Sequence, residues 1–302
     1  MGRVKSPPSD CGDTTRPSTI DEVAEAIALP ECDTRQEMTR DEQIELADLN
    51  FLEANRELAR RAGGVVHDEP GLMLYAGGHP LPVLTNGAMR TARSLEPGEA
   101  IARAHAFFAA QGRGFTWLVR AGADADLEDA VVAAGARPFG DAPGMVIEHR
   151  LADAVPPPGI ELRRVATAAG VADFASVNGV AYATYGMPEE VAPAALGPPE
   201  VTIAPHIRSF VAYKDGRPLS AAMVILSHGV AGVYWVGTRP EARGMGLAEL
   251  CTRAATNAGF DLGGRLVTLQ ASVMGEPIYR RMGYVEVTRY RNFVVSEAPR
   301  AA

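Results

Sequence analysis

The chain has 302 residues, an apolar fraction of 47% and a formal net charge of −8. That is enough apolar sequence for one large globular domain or two ordinary ones, and the acidic balance argues against nucleic acid as a partner. The opening MGRVKSPPSDCGD lacks the apolar core of a signal peptide and no run is long enough to span a bilayer, so no membrane partner is expected either.

Cys11, Cys32 and Cys251 are scattered and odd in number, which argues against a disulfide framework and for a reducing, cytoplasmic location. The charge is uneven. Through residue 155 there are 15 Lys+Arg against 25 Asp+Glu, a net of −10, and from residue 156 there are 14 against 12, a net of +2. An anionic cofactor is less repelled by the second half.

In chain order, residues 1–40 are a polar extension with one short helix expected at 21–29, capped by Ser18 or Thr19. A helix is expected at 41–61, then strands at 65–67, 72–75 and 82–84, with Asn86-Gly87 as a turn. Residues 99–111 read as a helix ended by Gly112, 115–120 as a strand, 127–134 as a short helix ended by Gly135, and 143–149 as a strand. Val155-Pro156-Pro157-Pro158-Gly159 is the clearest linker. Beyond it come a strand at 160–165, a helix at 171–185, and strands at 209–213 and 219–226 joined through Lys214-Asp215-Gly216.

The stretch from Val230 to Ala258 organises the rest. Val233 to Val236 are β-branched and aromatic, as in a strand. After a turn at 237–240, Leu247, Leu250, Cys251, Ala254, Ala255 and Ala258 recur at helical spacing, with Gly259 as the expected stop. Gly244 and Gly246 therefore sit between a strand and a helix N-terminus. There the first backbone N–H groups have no intrahelical partner and the dipole favours an anion. Cys251 falls on the apolar face and reads as a buried thiol. A strand at 266–271, a short helix at 277–282 and a strand region at 284–295 complete the chain.

The two halves correspond. The strand at 115–120, the helix from Glu128 to Gly135 and the strand at 139–149 match the strand at 266–271, the helix from Glu276 to Gly283 and the strand at 284–295. The divergence is informative, because Val131 stands where the second half has Tyr279 and no glycine loop precedes the helix at residue 99.

Arg243-x-x-Gly246-x-Ala248, after a strand and opening a helix, resembles the pyrophosphate loop of the GNAT superfamily of N-acyltransferases. Gly275, Ile278-Tyr279 and Gly283-Tyr284 match a second motif of that family, with Ser272 where the family usually has Asn. The resemblance implies an α/β (α+β) fold of two tandem units, each a mixed, mostly antiparallel sheet flanked by helices. That arrangement is similar to the mycothiol synthase type, and the first unit reads as a degenerate copy. The expected divisions are 1–40, 41–154 and 155–302. By the same resemblance the co-substrate is acetyl-CoA, held by Val236, Gly237, Thr238, Arg243, Gly244, Met245, Gly246, Leu247, Ala248 and Ser272. Tyr279 is the general acid for the leaving thiolate, a role a phenol can fill. The base is sought in Glu241, His228 or a water relay, and Tyr182 and Tyr185 could line the acceptor side.

The function implied is transfer of an acyl group, expected to be acetyl, to an amine by direct attack in a ternary complex, in a monomer or homodimer. The alternative is a non-catalytic acyl-CoA-binding regulatory or interaction module. The six histidines show no metal-ligand spacing, and no metal is expected.

Overall fold

The computed structural model describes residues 38–153 and 155–296. The helix expected at 21–29, with Cys11 and Cys32, lies outside them. The described residues from Thr39 onward form one compact unit.

Helix α1 (Arg40–Arg61) starts at a capping box: the Thr39 side chain accepts from the Glu42 amide while the Glu42 carboxylate accepts from the Thr39 amide. The first half continues through β1 (Val65–Glu69), β2 (Leu72–Ala76), β3 (Asn86–Arg90), α2 (Pro97–Gln111), β4 (Phe115–Arg120), α3 (Ala125–Ala133) and β5 (Arg137–Ile147). The second half holds β6 (Ile160–Arg164), α4 (Ala168–Ala183), α5 (Val191–Leu196), β7 (Ile207–Lys214), β8 (Arg217–Ser227), β9 (Val230–Thr238), α6 (Leu247–Asp261), β10 (Leu266–Gln270), α7 (Glu276–Met282) and β11 (Val285–Val295).

The strands form a single sheet in the order β1-β2-β3-β4-β11-β5-β10-β9-β8-β7-β6. Among the described residues only β3 with β4 and β9 with β10 run parallel, so the sheet is mixed and mostly antiparallel, as expected. The two halves exchange their last strands. β11 does not lie beside β10; it pairs with β4 and β5. β5 in turn lies against β10, from Gln270↔Gly144 to Val267↔Ile147. Each half is therefore completed by a strand of the other, and the seam is covalently and topologically shared.

Alternation along the strands sorts side chains onto two faces. Ala222 and Val224 of β8 pack under α6, whereas Ala221, Met223 and Ile225 pack under α4 and α5. In the first half Leu72, Leu74 and Trp117 pack under α2 and α3, and Met73, Tyr75 and Leu118 lie under α1. Helix α1 crosses the seam. Its buried Asn50 donates to the carbonyls of Ile225 and Val230 in the second half, while Asn55 accepts from the Tyr75 hydroxyl in the first.

Three local expectations change. Residues 82–84 are not a strand; Pro82–Thr85 is an irregular turn with Leu84 at φ +69°. Asn86-Gly87 is not the turn but the start of β3, and Gly87 is needed because the Tyr75 ring stands 2.5 Å from where a Cβ would sit. Helix α6 does not stop at Gly259. That glycine is interior, with Ala231 Cβ 2.8 Å from its missing Cβ, so it lets the helix approach the sheet, and Gly263 (φ +98°) follows the true end.

Candidate active site

β9 and β10 pair from Val230↔Leu266 to Val233↔Leu269 and then part. β9 runs on to Thr238 bonded only to β8. A bulge marks the parting. Trp235 and Val236 together oppose Ala222, and Trp235 takes φ +50°, a conformation rarely adopted by a bulky side chain. Beyond the bulge the Arg239 amide donates to Leu219, so by ladder alternation the backbone groups of Val236 and Thr238 turn to the open side.

The open edge leads to the glycine loop. Gly244 (φ +79°) and Gly246 (φ +75°) both need the left-handed conformation, and Gly246 caps α6 with no side chain bonded to the helix amides. The first amides of a 15-residue helix thus face an uncovered space. Arg243 lies beside it, donating to Thr184 Oγ1 at 3.0 Å. Together these elements bound a groove of about 400 Å³ lined by Val236, Thr238, Arg243, Gly244, Gly246, Leu247, Ala248, Ser272, Tyr279 and Arg281, among others.

Of the residues expected to hold the co-substrate, the fold thus brings eight to this groove. Gly237 and Met245 do not line it. Gly237 faces β8 and α4: its carbonyl accepts from Ser220 Oγ, and a Cβ there would meet Asn178 Oδ1 at 2.8 Å. Met245 is 37% exposed on the outside of the loop. Ser272 Oγ accepts from the Gly275 amide at 3.2 Å, capping the turn that enters α7, and lies 3.4 Å from the Tyr185 hydroxyl.

A second cavity, about 260 Å³, lies at the seam under α1. Its walls come from both halves, including Phe51, Tyr75, Thr116, Tyr234, Trp235 and Asn292. It meets the groove at Tyr182, Val236, Ser272 and Tyr279, the four residues that line both. Tyr279 therefore stands between the two spaces. It is 6% exposed, its ring rests on Gly275, where a Cβ would lie 2.7 Å from it, and burial pushes its phenol well above the ordinary range, so it stays protonated.

The candidate bases fall elsewhere. His228 (φ +51°) is in the β8–β9 hairpin, roughly 25 Å from Val236 along the strand. Glu241 pairs with Arg217, and neither it nor His228 lines either space. Cys251 is fully buried and its thiol is pushed up to about 12 by burial, so it is no nucleophile. Among the described residues no group of three His, Cys, Asp or Glu is placed to hold a metal, and no helix is long and apolar enough to cross a membrane.

Residues 201–279 match a family described as "Acetyltransferase (GNAT) domain". Over that stretch the chain is similar to GNAT acetyltransferase domains. The match begins at α5–β7 and ends on Tyr279, so it spans the open edge, the glycine loop and the tyrosine. Solved structures extend the likeness in fold to both halves. A GCN5-related N-acetyltransferase from Kribbella flavida is 22% identical with a TM-score of 0.64, covering 82% of this chain and 95% of that one. A GCN5-related N-acetyltransferase from Sphaerobacter thermophilus is 14% identical with a TM-score of 0.53 over 85% and 94%. A tandem GNAT protein from the clavulanic acid biosynthesis pathway is 15% identical with a TM-score of 0.51 over 76% and 79%. No curated protein matches the chain by sequence.

Sequence reasoning missed three features of this site. The exchange of β5 and β11 is invisible in a linear pattern. Asn50, Gly232 and Tyr234 form a unit in which the Tyr234 hydroxyl donates to Asn50 Oδ1, and Gly232 leaves room for that oxygen, 2.0 Å from its missing Cβ. A polar residue on the apolar face of α1 was the available signal. The third feature is Arg90, fully buried at the end of β3 and bonded to Asp124 and Asp126.

Proposed function

We propose that this chain is an acetyl-CoA-dependent N-acyltransferase working by direct attack in a ternary complex. The chemistry belongs to residues 155–302, and residues 41–154 are a degenerate unit that walls the acceptor site. The observation that carries the reading is the place of Tyr279, a buried protonated phenol at the one junction of groove and cavity. The pyrophosphate of acetyl-CoA sits on the amides after Gly246, and the pantetheine arm runs along Val236 and Thr238 as a partial extra strand. The thioester then reaches Tyr279. The amine enters from the cavity and attacks the carbonyl carbon, the C–S bond breaks, and Tyr279 protonates the departing sulfur. General acid help of this kind contributes roughly 10²–10⁴ in rate. The working location is the reducing cytoplasm.

One observation favours a second reading. Among the described residues no carboxylate or histidine lines the cavity, as a non-catalytic acyl-CoA-binding module would allow. The deciding measurement is thiol release from acetyl-CoA across a broad panel of amines. Amine-dependent release at a rate above the uncatalysed one supports the enzyme; tight binding with no release from any amine would sink it.

A further inference from the structure

The cavity's chemistry is uniform. Every side chain on its wall is apolar, aromatic or a neutral hydroxyl or amide, and among the described residues none is charged. The tyrosine hydroxyls at the edges are already engaged: Tyr75 donates to Asn55, Tyr234 to Asn50 and Tyr290 to Asp48. Tyr290 thus stands between Asp48 and the cavity, and Asp48 is not part of the lining. Two fully buried polar atoms on wall residues lack any partner, Gln270 Nε2 and Asn292 Oδ1. Exchanging nitrogen and oxygen in either amide would leave the wall equally neutral. Rings meet around the space, Phe51 with Tyr290 at 4.7 Å and Tyr182 with Trp235 at 5.3 Å between centroids.

The geometry points to an acceptor that is a small, uncharged aromatic compound bearing a weakly basic amine. This rests on the acyltransferase reading above and names the substrate class of the same site. Two arguments converge. A carboxylate, phosphate or ammonium taken into this cavity would lose its hydration and find no counter-charge. The nucleophile must also arrive neutral, since no base stands ready on the wall. An alkyl amine with a pKa near 10.4 is neutral in roughly one molecule in 2 × 10³ at pH 7, whereas an amine with a pKa well below 7 is neutral throughout. For such an amine the step closes without a carboxylate. The nitrogen lone pair forms the C–N bond and the C–S bond breaks with its electron pair going to sulfur. The proton that leaves nitrogen replaces the one Tyr279 has given to sulfur. A volume near 260 Å³ suits a single ring with one substituent. The ring-lined walls favour a flat one.

The chain contains its own reporter. Of its two tryptophans, Trp117 is fully buried in the first-half core and Trp235 lines the cavity. Emission of the full-length protein is followed while titrating para-aminobenzamide, para-aminobenzoate and para-aminomethylbenzamide, which share a ring and differ in charge. The neutral compound is expected to quench at concentrations at least tenfold below either charged one, and Trp235→Phe to abolish the response. Equal or tighter binding of the carboxylate or the ammonium compound overturns the inference. So does quenching by none of the three at millimolar concentration, or tighter binding of a dipeptide amide with a free N-terminus. Thiol release from acetyl-CoA is scored separately. The expected charge selectivity with no transfer to any amine would sink the acyltransferase reading while leaving the cavity's preference standing.

Discussion

The molecule contains the same strand split twice, once open and once plugged. In the second half β9 and β10 part after Val233 and leave a free edge, a glycine loop and a groove. In the first half β3 and β4 pair only at Gly87↔Thr116 and Ala88↔Trp117 before parting. There the gap is filled by protein. The Arg90 guanidinium, 1% exposed, bonds Asp124 and Asp126, and Arg120 donates to the Arg90 carbonyl, the position of a backbone acceptor at the strand end. The Arg90 hydrogen bonds hold the Asp126 carboxyl down to about 2. The following helix opens with Glu96, Pro97, Gly98 and Glu99, none of them left-handed, and the adjoining hollow is lined by Asp41, Glu45 and Asp48 together with Arg90 and Arg120. Where the second half has Tyr279, Val131 is fully buried. One geometry thus has two uses. Left open, an unpaired edge borders a groove; closed by a buried ion pair, it is a joint beside the wall of its neighbour's cavity.

The largest expected effect comes from making the open split resemble the closed one. Gly246→Asp puts a carboxylate into the anion site and lowers acetyl-CoA affinity. The loss of two charge-assisted hydrogen bonds at about 1.5–3 kcal/mol each corresponds to about 10²–10⁴-fold. Gly98→Asp, at the start of α2, is expected to change nothing. Calorimetry giving equal affinity in wild type and Gly246→Asp would break the loop assignment. Next is Arg90→Ala, which leaves Asp124 buried with one partner fewer. Breaking a buried pair costs about 3–5 kcal/mol, and the lower figure is expected because Arg120 still holds Asp124. Denaturant unfolding checks the size of the loss. Titration of the same variant with acetyl-CoA is expected to saturate at one site per chain, as in wild type, because opening the gap supplies no glycine loop. Two equivalent sites would overturn the comparison.

The contrast between the halves was partly legible in the sequence. Gly244, Gly246 and Tyr279 stand out in the sequence because each expected role needs a particular residue at a particular spacing, and Val131 marks where the first half differs. The strands and helices of both halves are legible from composition and periodicity: α2 buries one face, whereas β4 and β8 are buried on both and show as short apolar runs between turn residues. What was not legible is pairing. The exchange of β5 and β11 leaves residue order and alternation unchanged, so only the register Val267↔Ile147 and Phe293↔Trp117 shows it. Glycine carries more than one meaning in the pattern. Gly259 and Gly87 sit where another side chain or strand needs the space, and neither is a stop or a turn. Arg90 gives no signal in the sequence, because a charge at a strand end is ordinarily solvated and nothing local shows that it is enclosed.

Tyr279→Phe sharpens the comparison at the position where the halves differ most in chemistry. The ring packing stays, so acetyl-CoA affinity is expected to hold while turnover falls by roughly 10²-fold, the low end for lost acid catalysis because water can protonate a thiolate. The defect shrinks with a donor whose thiol is more acidic. The pH dependence follows from burial, which raises the phenol's pKa. The neutral form is then the folded-state form at every pH below the unfolded value near 10, and the stability linked to it is lost only as pH rises above that value. No loss of turnover from this group is expected between pH 7 and 9. A falling limb in that window that disappears in Tyr279→Phe would show a phenol far more acidic than its burial allows.

The smallest effect is expected at Ser272, where family resemblance and geometry assign different work. The resemblance gives its side chain to the pantetheine arm. In the structure its oxygen already accepts from the Gly275 amide, the bond that closes the turn into α7 and so fixes where Tyr279 begins. If capping is its main duty, Ser272→Ala costs about 1 kcal/mol of stability, as lost caps do. Acetyl-CoA affinity then changes little, because the loop amides and the open edge of β9 carry the binding. Turnover falls modestly, through displacement of the tyrosine, and Ser272→Asp, which can accept the same amide bond, is expected to restore stability. A loss of affinity in Ser272→Ala with unchanged stability would reverse the assignment, making the hydroxyl a ligand contact that the open split has and the plugged one lacks.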